Sequence, residues 1–535
     1  MPELTAFAYA PGSFYALRWK ALSPKSISKR FLSSFPFPHS TERRFMSQIS
    51  PTHPRKLDDI ASWDMETDVA IVGFGGAGGC AAIEAADQGA AVTIFEVASA
   101  SGGSTALSSA EIYMGGSGGT RVQKACGYDD STEDLFNYLM KSQGDIGDEE
   151  RIRLYAEGSS DHFNWIVGLG VPYKDSEYKN KAIVAMTDDC LLYTGNEKAW
   201  PFRDIAKPCP RGHNLEVEGD NGGPMFMGIV TKQVEARDIR IEYNARALTL
   251  VTDEAGKVHG LIVRIDGQER NVRARKGVIL CSGGFSMNQE MWSHYSPEVA
   301  DRAAPIGNPF DDGAGIRIGQ GAGGSTLHMN QSFVTIPFYP PASHTFGILV
   351  NSQGQRFINE DVYHARIAKS NIRQLQTSEK VFLIIGEKHW KQPNMLNGEI
   401  VSAGESIEEI AEEIGVPAAN LAHTFNYYNE HAAKGQDPLF HKQSDWLEAI
   451  VPTIAAVDIT PGQHGLYVGF TLGGLETKTT GEVLTMDGDV IPGLYAAGRT
   501  TCGMPRTAEG YASGMSVGDV TFFGRRAGKQ AARHE

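Results

Sequence analysis

Near its C-terminal end the chain reads AEGYASGMSVGD, which sets Tyr511 and Ser513 two residues apart in a run of glycines. A structural glycine turn has little use for a phenol, so the pair is a candidate for chemistry. Taking a proton from a carbon beside a ketone needs a base in line with the C–H bond and a donor for the developing enolate oxygen. A phenol, with an ordinary pKa of about 10, is mostly protonated at neutrality and acts as a base only with help from a neighbouring donor or relay. Ser513 can provide that help. Gly514, Ser516 and Val517 then lead into DVTFFGRRAGKQAA, a predicted final helix whose N-terminus would aim amides and positive dipole at a bound group.

Such a pair must be positioned against a partner, and the other end of the chain suggests one. TDVAIVGFGGAGGCAAIEAADQGAAVTIFEVA reads as strand, tight turn, helix, strand. The apolar run Val69 to Val72 suits a buried parallel strand, and Gly73, Gly75 and Gly78 form GxGxxG, with Gly76 and Ala77 inside it. Gly73 permits the turn, Gly75 lets the backbone approach a pyrophosphate, and Gly78 lets the helix pack closely. The next strand ends in Glu96, whose carboxylate can accept hydrogen bonds from ribose hydroxyls. Strand, glycines, helix, strand and acid in one unit predict a dinucleotide site.

Composition narrows the class. The formal net charge of −15 argues against a general polyanion binder, so no nucleic-acid partner is expected. Cys80, Cys126, Cys190, Cys209, Cys281 and Cys502 lie far apart with no CxxC, which speaks against zinc, c-type haem or iron–sulfur clusters, suits a reducing cytoplasm and predicts no metal. No run of about 18 apolar residues is present to span a membrane. Residues 1–62 read as a basic extension rich in Ser, Phe and Pro, expected to be disordered; a transit peptide, or a start at Met46, are the other readings.

After Glu96 comes ASASGGSTALSSAEIYMGGSGG, too long and too small in side chains for an ordinary turn. Here the chain resembles the fumarate reductase and 3-ketosteroid dehydrogenase flavoproteins, and further motifs recur in order: KGVILCSGGFSMN, NPFDDGAGIRIGQGAGG, GILVNSQGQRFINED and VIPGLYAAGRT. The resemblance spans about residues 66–530 and implies FAD rather than NAD. It implies that Gly73, Gly75, Gly76, Ala77, Gly78 and Glu96 hold the AMP and pyrophosphate half. Gly102, Gly103, Ser104 and Thr105 would lie near the flavin, and the Ala247 backbone would meet the adenine. Ser282, Gly283, Gly284, Asp312, Gly313, Gly498, Arg499, Ser513, Gly514, Ser516 and Val517 would complete the cofactor contacts. The GGSTALSS loop has no histidine where covalently flavinylated relatives carry one, so the FAD is expected to be non-covalent.

The same resemblance implies an α/β, Rossmann-like FAD-binding domain built from residues 66–300 and 447–535, with an inserted α+β capping domain at 301–446. In the inserted part ESIEEIAEEIG predicts a helix capped by Ser406 and closed by Gly415. GYASG followed by SVGDVTFFGRRAG resembles the 3-ketosteroid 4-ene dehydrogenases acting on 5α-reduced steroids, with LLYTGNEKAWPF and PCPRGH in agreement. Their catalytic set would fall here on Tyr339, Tyr511 and Ser513. They would carry the C4 proton away while the C5 hydride leaves for the flavin, and a quinone, an electron carrier or oxygen would reoxidise it. A 3-ketosteroid 1-ene dehydrogenase is the nearest alternative, although the YPGxG-like turn of those enzymes is absent. A fumarate or enoate reductase is the next, with no HGxNRLGG-like pattern to grip a dicarboxylate and Arg506 as the one candidate anion contact.

Overall fold

In the computed structural model, residues 50–182, 184–336, 342–393, 398–462 and 464–533 are described. A parallel strand core organises the nucleotide half. Strand β1 (Met65–Val72) is followed by helix α1 (Gly76–Asp87) and strand β2 (Val92–Phe95). Val69, Ala70 and Ile71 are wholly buried because both faces of the sheet are covered, which explains a continuous apolar run instead of an alternating one. Two more strands complete this core, β3 (Gln268–Leu280) beside β1 and β4 (Val490–Ala496) beside β3, with Val278 opposite Leu494 and Leu280 opposite Ala496. The strand Arg240–Glu242 flanks β2, and antiparallel Val258–Ile265 and Ala245–Thr252 extend the sheet beyond β3.

The final helix α2 (Met515–Arg533) lies against α1. A Cβ on Gly528 would stand 2.1 Å from the Ala81 carbonyl oxygen, so the two helices meet backbone to backbone. That contact, with the β3–β4 pairing, returns the C-terminal segment to the sheet that begins at Met65. The N-terminal end of α2 is thereby fixed beside the Gly73–Gly78 turn.

A second, four-stranded antiparallel sheet runs Ile348–Asn351, Val381–Gly386, Ile454–Asp458, Glu399–Gly404. Ile407–Ile414 and Ala418–Ala432 cover it, with Ile410, Leu421, Phe425 and Tyr428 filling the space between. Ser406 caps the first of these helices and Gly415 takes the left-handed conformation (φ 72°) at its end, as their types predict.

Two expected boundaries move. Ile454–Asp458 hydrogen-bonds inside the second sheet and Val468–Thr471 pairs with Ser332–Thr335, so the chain does not return to the nucleotide half at 447. The apolar IAAVD carries no mark of which sheet it joins. Residues 50–62 are ordered where disorder was expected: Arg55–Lys56 add a short parallel edge to Val251–Thr252, and Thr52 donates to the Arg317 carbonyl (2.9 Å). Backbone pairing of this kind depends little on side-chain type, so basic, Pro-containing sequence concealed it. Residues 1–49, including Met46, lie outside the described residues. Among those described, the six cysteines are unpaired, no acidic, His and Cys cluster could hold a metal, and no helix is long and apolar enough to cross a membrane.

Candidate active site

An elongated cleft opens along the carboxyl ends of β1, β2 and β3, with about 850 Å³ of empty space including its mouth. Gly73, Gly75, Gly76, Ala77, Glu96, Gly103, Ser104, Thr105, Ala247, Ser282, Gly283, Asp312, Gly498 and Arg499 line it. Gly73 turns the chain at φ 100°, which L side chains rarely adopt, and any Cβ there would be 2.5 Å from the Cys281 carbonyl. Gly75 differs, since its Cβ position meets nothing nearer than 3.8 Å and so leaves the cleft open to close approach by a ligand. Thr105 Oγ1 accepts from the Gly76 amide (3.2 Å) and ties the following loop to the helix start.

Glu96 reaches back across the turn, accepting from the Phe74 amide (2.6 Å) and the Ala98 amide (2.7 Å). Burial pushes its carboxyl above the usual range, while those backbone donors pull the other way. At the far end Ser104 donates to Asp311 Oδ2 (2.7 Å), and Arg499 Nη2 bonds both Ser104 Oγ (2.7 Å) and the Asp311 carboxylate. Arg499 Nη1 is buried without a hydrogen-bond partner, its guanidinium lying over the Phe470 ring (5.2 Å). An open glycine face, a carboxylate at the second strand and the Arg499 side chain along the wall fit a dinucleotide with anionic and hydrogen-bond-accepting groups.

Other sequence-derived residues support the cleft from behind. Gly78 packs on the Gly73 carbonyl, and Gly102 donates its amide to the Phe74 carbonyl (2.8 Å). Gly284 abuts Thr471, and Gly313 is the left-handed N-cap (φ 75°) of Ala314–Gly321. Val517 is buried in α2. A small cavity lined by Gly498, Arg499, Val520 and Ser516 adjoins the cleft.

In that turn the hydroxyls pair differently from expectation. Tyr511 Oη donates to Ser516 Oγ (2.8 Å), not to Ser513, and the Ser516 amide points at the same phenol oxygen (3.4 Å). Ser513 Oγ instead meets Tyr363 Oη at 2.7 Å. Two residues of separation in a tight turn aim Ser513 away from the phenol, whereas one helical turn returns Ser516 to it. Gly514, at φ 91° and with its Cβ position 2.6 Å from the Tyr113 amide, fixes the turn against Ile112–Tyr113. The Tyr511 ring packs on Phe333 (centroids 4.5 Å) and Phe470 (6.1 Å), with the Tyr363 ring at 6.4 Å. Burial pushes the Tyr511 phenol up to about 12, partly opposed by Ser516 and Arg499. Tyr339 lies outside the described residues.

Known proteins resemble this chain over most of its length. Residues 68–515 match the family described as FAD binding domain. The crystal structure of 3-ketosteroid-Δ4-(5α)-dehydrogenase from Rhodococcus jostii, in complex with 4-androstene-3,17-dione, is 41% identical; the match covers 90% of this chain and 100% of that one, with a TM-score of 0.84. The chain belongs to the 3-ketosteroid Δ4-(5α)-dehydrogenase family of FAD-binding flavoproteins. A 3-oxo-5-alpha-steroid 4-dehydrogenase from Comamonas testosteroni is 28% identical, covering 86% of this chain and 98% of the relative. A probable fumarate reductase from Shewanella frigidimarina is 27% identical over 88% of this chain and 75% of its own length.

Within this family frame, two residues escaped the sequence reading. Tyr363 follows the acidic pair of NEDVYHAR at the start of His364–Gln374 and looks there like a helix-entry aromatic. The other is Asp311, which lines the cleft beside its expected neighbour Asp312; Asp312 pairs with Arg246 (2.9 Å) and accepts from the Ala314 amide. In a DD dipeptide nothing in the sequence says that both carboxylates line the cleft. Gly75→Val tests the cradle: its branched side chain fills the open face, and FAD retention, read by absorbance after purification, is expected to fall at least ~100-fold with the melting transition retained.

Proposed function

We propose that this chain dehydrogenates 3-keto-5α-steroids at C4–C5 with non-covalent FAD, in steroid degradation. The observation that carries the reading is the gathering of three hydroxyls, Tyr511, Ser513 and Tyr363, beside the N-terminus of α2, where Ser516, the partner of Tyr511, lines a small cavity next to the cleft. The 41% identical relative, crystallised with a 3-ketosteroid, supports the substrate class. Among the described residues no histidine lines the cleft, which accords with a non-covalent cofactor.

When bound, FAD supplies the acceptor for the hydride leaving C5. Tyr511 removes the C4 proton: its oxygen is met by the Ser516 hydroxyl and amide in the first turn of α2, donors that stabilise a phenolate together with the helix dipole. Ser513 and Tyr363, hydroxyl to hydroxyl, form a second pair beside it that can bind and relay at the substrate's oxygen. Phe333 and Phe470 give the base an apolar wall that excludes water. Residues of the second sheet and its helices form the substrate-capping layer, and a quinone, an electron carrier or oxygen takes the electrons.

The reductase alternative meets an obstacle at Arg506. Its guanidinium is occupied by Asp148 Oδ2 (2.9 Å) and the carbonyls of Ile146 (3.0 Å) and Gly503 (3.2 Å), which leaves it unsuited to grip a dicarboxylate. Glu509, in the same run, is paired with Arg373. The deciding experiment is anaerobic addition of a 5α-reduced 3-ketosteroid, then of a 4-ene-3-ketosteroid, with flavin absorbance followed. Bleaching by the first alone, with a 4-ene product, is expected. Bleaching by the second alone would transfer the activity to C1–C2.

A further inference from the structure

Glu111 lies behind the tyrosine turn, at the entry to the short strand Ile112–Tyr113, and is 1% exposed. No ion pair reaches it among the described residues, and the charges facing it are of its own sign. One oxygen is held: Asn214, with its amide turned so that Oδ1 accepts from the Ala185 amide (2.8 Å), donates to Glu111 Oε2 (2.8 Å). The other, Oε1, is buried with no hydrogen-bond partner. Its neighbour is Thr194 Oγ1, for both oxygens converge over Gly212, where a Cβ would stand 2.6 Å from Thr194 Oγ1 and 2.8 Å from Glu111 Oε1. Thr194 Oγ1 has already committed its proton to the Ser513 carbonyl (3.1 Å), while the Thr194 carbonyl accepts from the Ser513 amide (3.1 Å). With the hydroxyl proton on the Ser513 carbonyl, a proton on the carboxyl gives both oxygens a partner.

We infer that Glu111 is a neutral carboxylic acid that donates from Oε1 to Thr194 Oγ1, and that this two-bond chain is the positioning device for Ser513. Thr194 is then a fixed donor to Ser513 on one edge and a fixed acceptor on the other, so the serine hydroxyl is directed at Tyr363. The same backbone stretch secures the partner, since Asn196 Oδ1 accepts from the Tyr363 amide (2.8 Å). The LLYTGNEKAWPF motif thereby acquires a physical role, in which Thr194 grips one member of the relay and Asn196 the other.

Electrostatics supports the neutral form. Burial pushes the Glu111 carboxyl well above the usual carboxylate range; the Thr194 hydroxyl pulls the other way, and Glu197 and Asp220 push with burial. Tyr173, Tyr363 and Tyr511 also feel its charge, and a carboxylate there would hold each phenol in its protonated form. His213, in the adjoining strand, brings no compensating charge because burial pushes it down to about 4. Ionisation of Glu111 would therefore misplace the serine and oppose ionisation of the base together.

The inference rests on the proposed dehydrogenation only for its kinetic arm. Difference infrared spectra of the FAD-loaded wild type and Glu111→Gln at neutral pH should show a carboxylic-acid carbonyl band lost on substitution; a lost carboxylate band instead overturns the inference, whatever the enzyme's substrate. With a 5α-reduced 3-ketosteroid, Glu111→Gln, whose amide can donate to Thr194, is expected to keep kcat within about threefold. Glu111→Leu and Thr194→Val should each lower kcat at least ~10-fold, with KM little changed. The double substitution should lose no more than either single one, because both cut the same chain. Wild-type kcat should fall at the alkaline end of its profile, and Glu111→Gln should abolish that fall. Additive losses, or an unchanged alkaline limb, would overturn it. If no steroid reduces the wild-type flavin, the functional reading fails while the infrared result still decides the state of Glu111.

Discussion

Tyr511→Phe is expected to slow steroid-driven flavin reduction by about 10³-fold, in the range of a lost general base, while FAD stays bound. The substitution removes one oxygen and leaves the ring on Phe333 and Phe470, so the apolar wall survives. The lost oxygen is where the Ser516 hydroxyl and amide converge, in the first turn of α2. With burial holding the phenol near 12, few molecules carry a phenolate at neutrality, and the log of the reduction rate should climb with pH at close to unit slope until the ionisation of Glu111 turns the profile down. Tyr511→Phe should flatten that slope. Ser516→Ala should keep it and displace the whole profile to higher pH, because it takes away a donor that favours the charged form. Stopped-flow reduction across pH reads all three. A Tyr511→Phe protein that reduces at the wild-type rate would remove Tyr511 from the chemistry and leave Tyr363 as the phenol to test.

How far the sequence reaches can be seen in particular residues. The Gly73–Gly78 turn and Glu96 were legible because each has a requirement only its own type meets: positive φ, close approach, or an acid at a strand end. Tyr511 and Ser513 stand out in the sequence as unusual types in a glycine turn and through the family resemblance. Their bonding was not, for a two-residue offset does not say which way a hydroxyl points when φ at Gly514 reverses the chain. Tyr363 is 150 residues away from its partner serine, and contacts over such separations leave no local periodicity to read. The same holds for Ile454–Asp458, an apolar strand equally at home in either sheet, and for Arg55–Lys56, held by backbone pairing. What local pattern encodes is conformation; what it leaves open is the partner.

The framework beneath the relay carries the second large effect, Asp130→Ala, expected to destabilise the protein by about 3–5 kcal/mol. Asp130 and Arg211 form a two-pronged pair, Nε to Oδ2 at 2.9 Å and Nη2 to Oδ1 at 2.7 Å, and neither side chain has any exposure. Removing the carboxylate strands a guanidinium that already has one buried N–H without a partner. It also releases the Gly116 amide that donates to Asp130 (3.2 Å). Much of the loss is the stranded charge and not the worth of the pair, so Asp130→Leu combined with Arg211→Met should be far less destabilised than Asp130→Ala alone. Denaturant unfolding of the FAD-loaded proteins measures this. The consequence should reach the site, because the Arg211 guanidinium lies against the Tyr138 ring (5.2 Å), Tyr138 Oη accepts from the Asn196 amide (2.9 Å), and Asn196 holds Tyr363. If the apolar pair restores stability but not the rate of flavin reduction, Arg211 is retained for holding that chain of contacts in place. If it restores both, the buried pair is dispensable to catalysis, and the Tyr363–Ser513 relay draws its geometry from Thr194 and Asn196 alone.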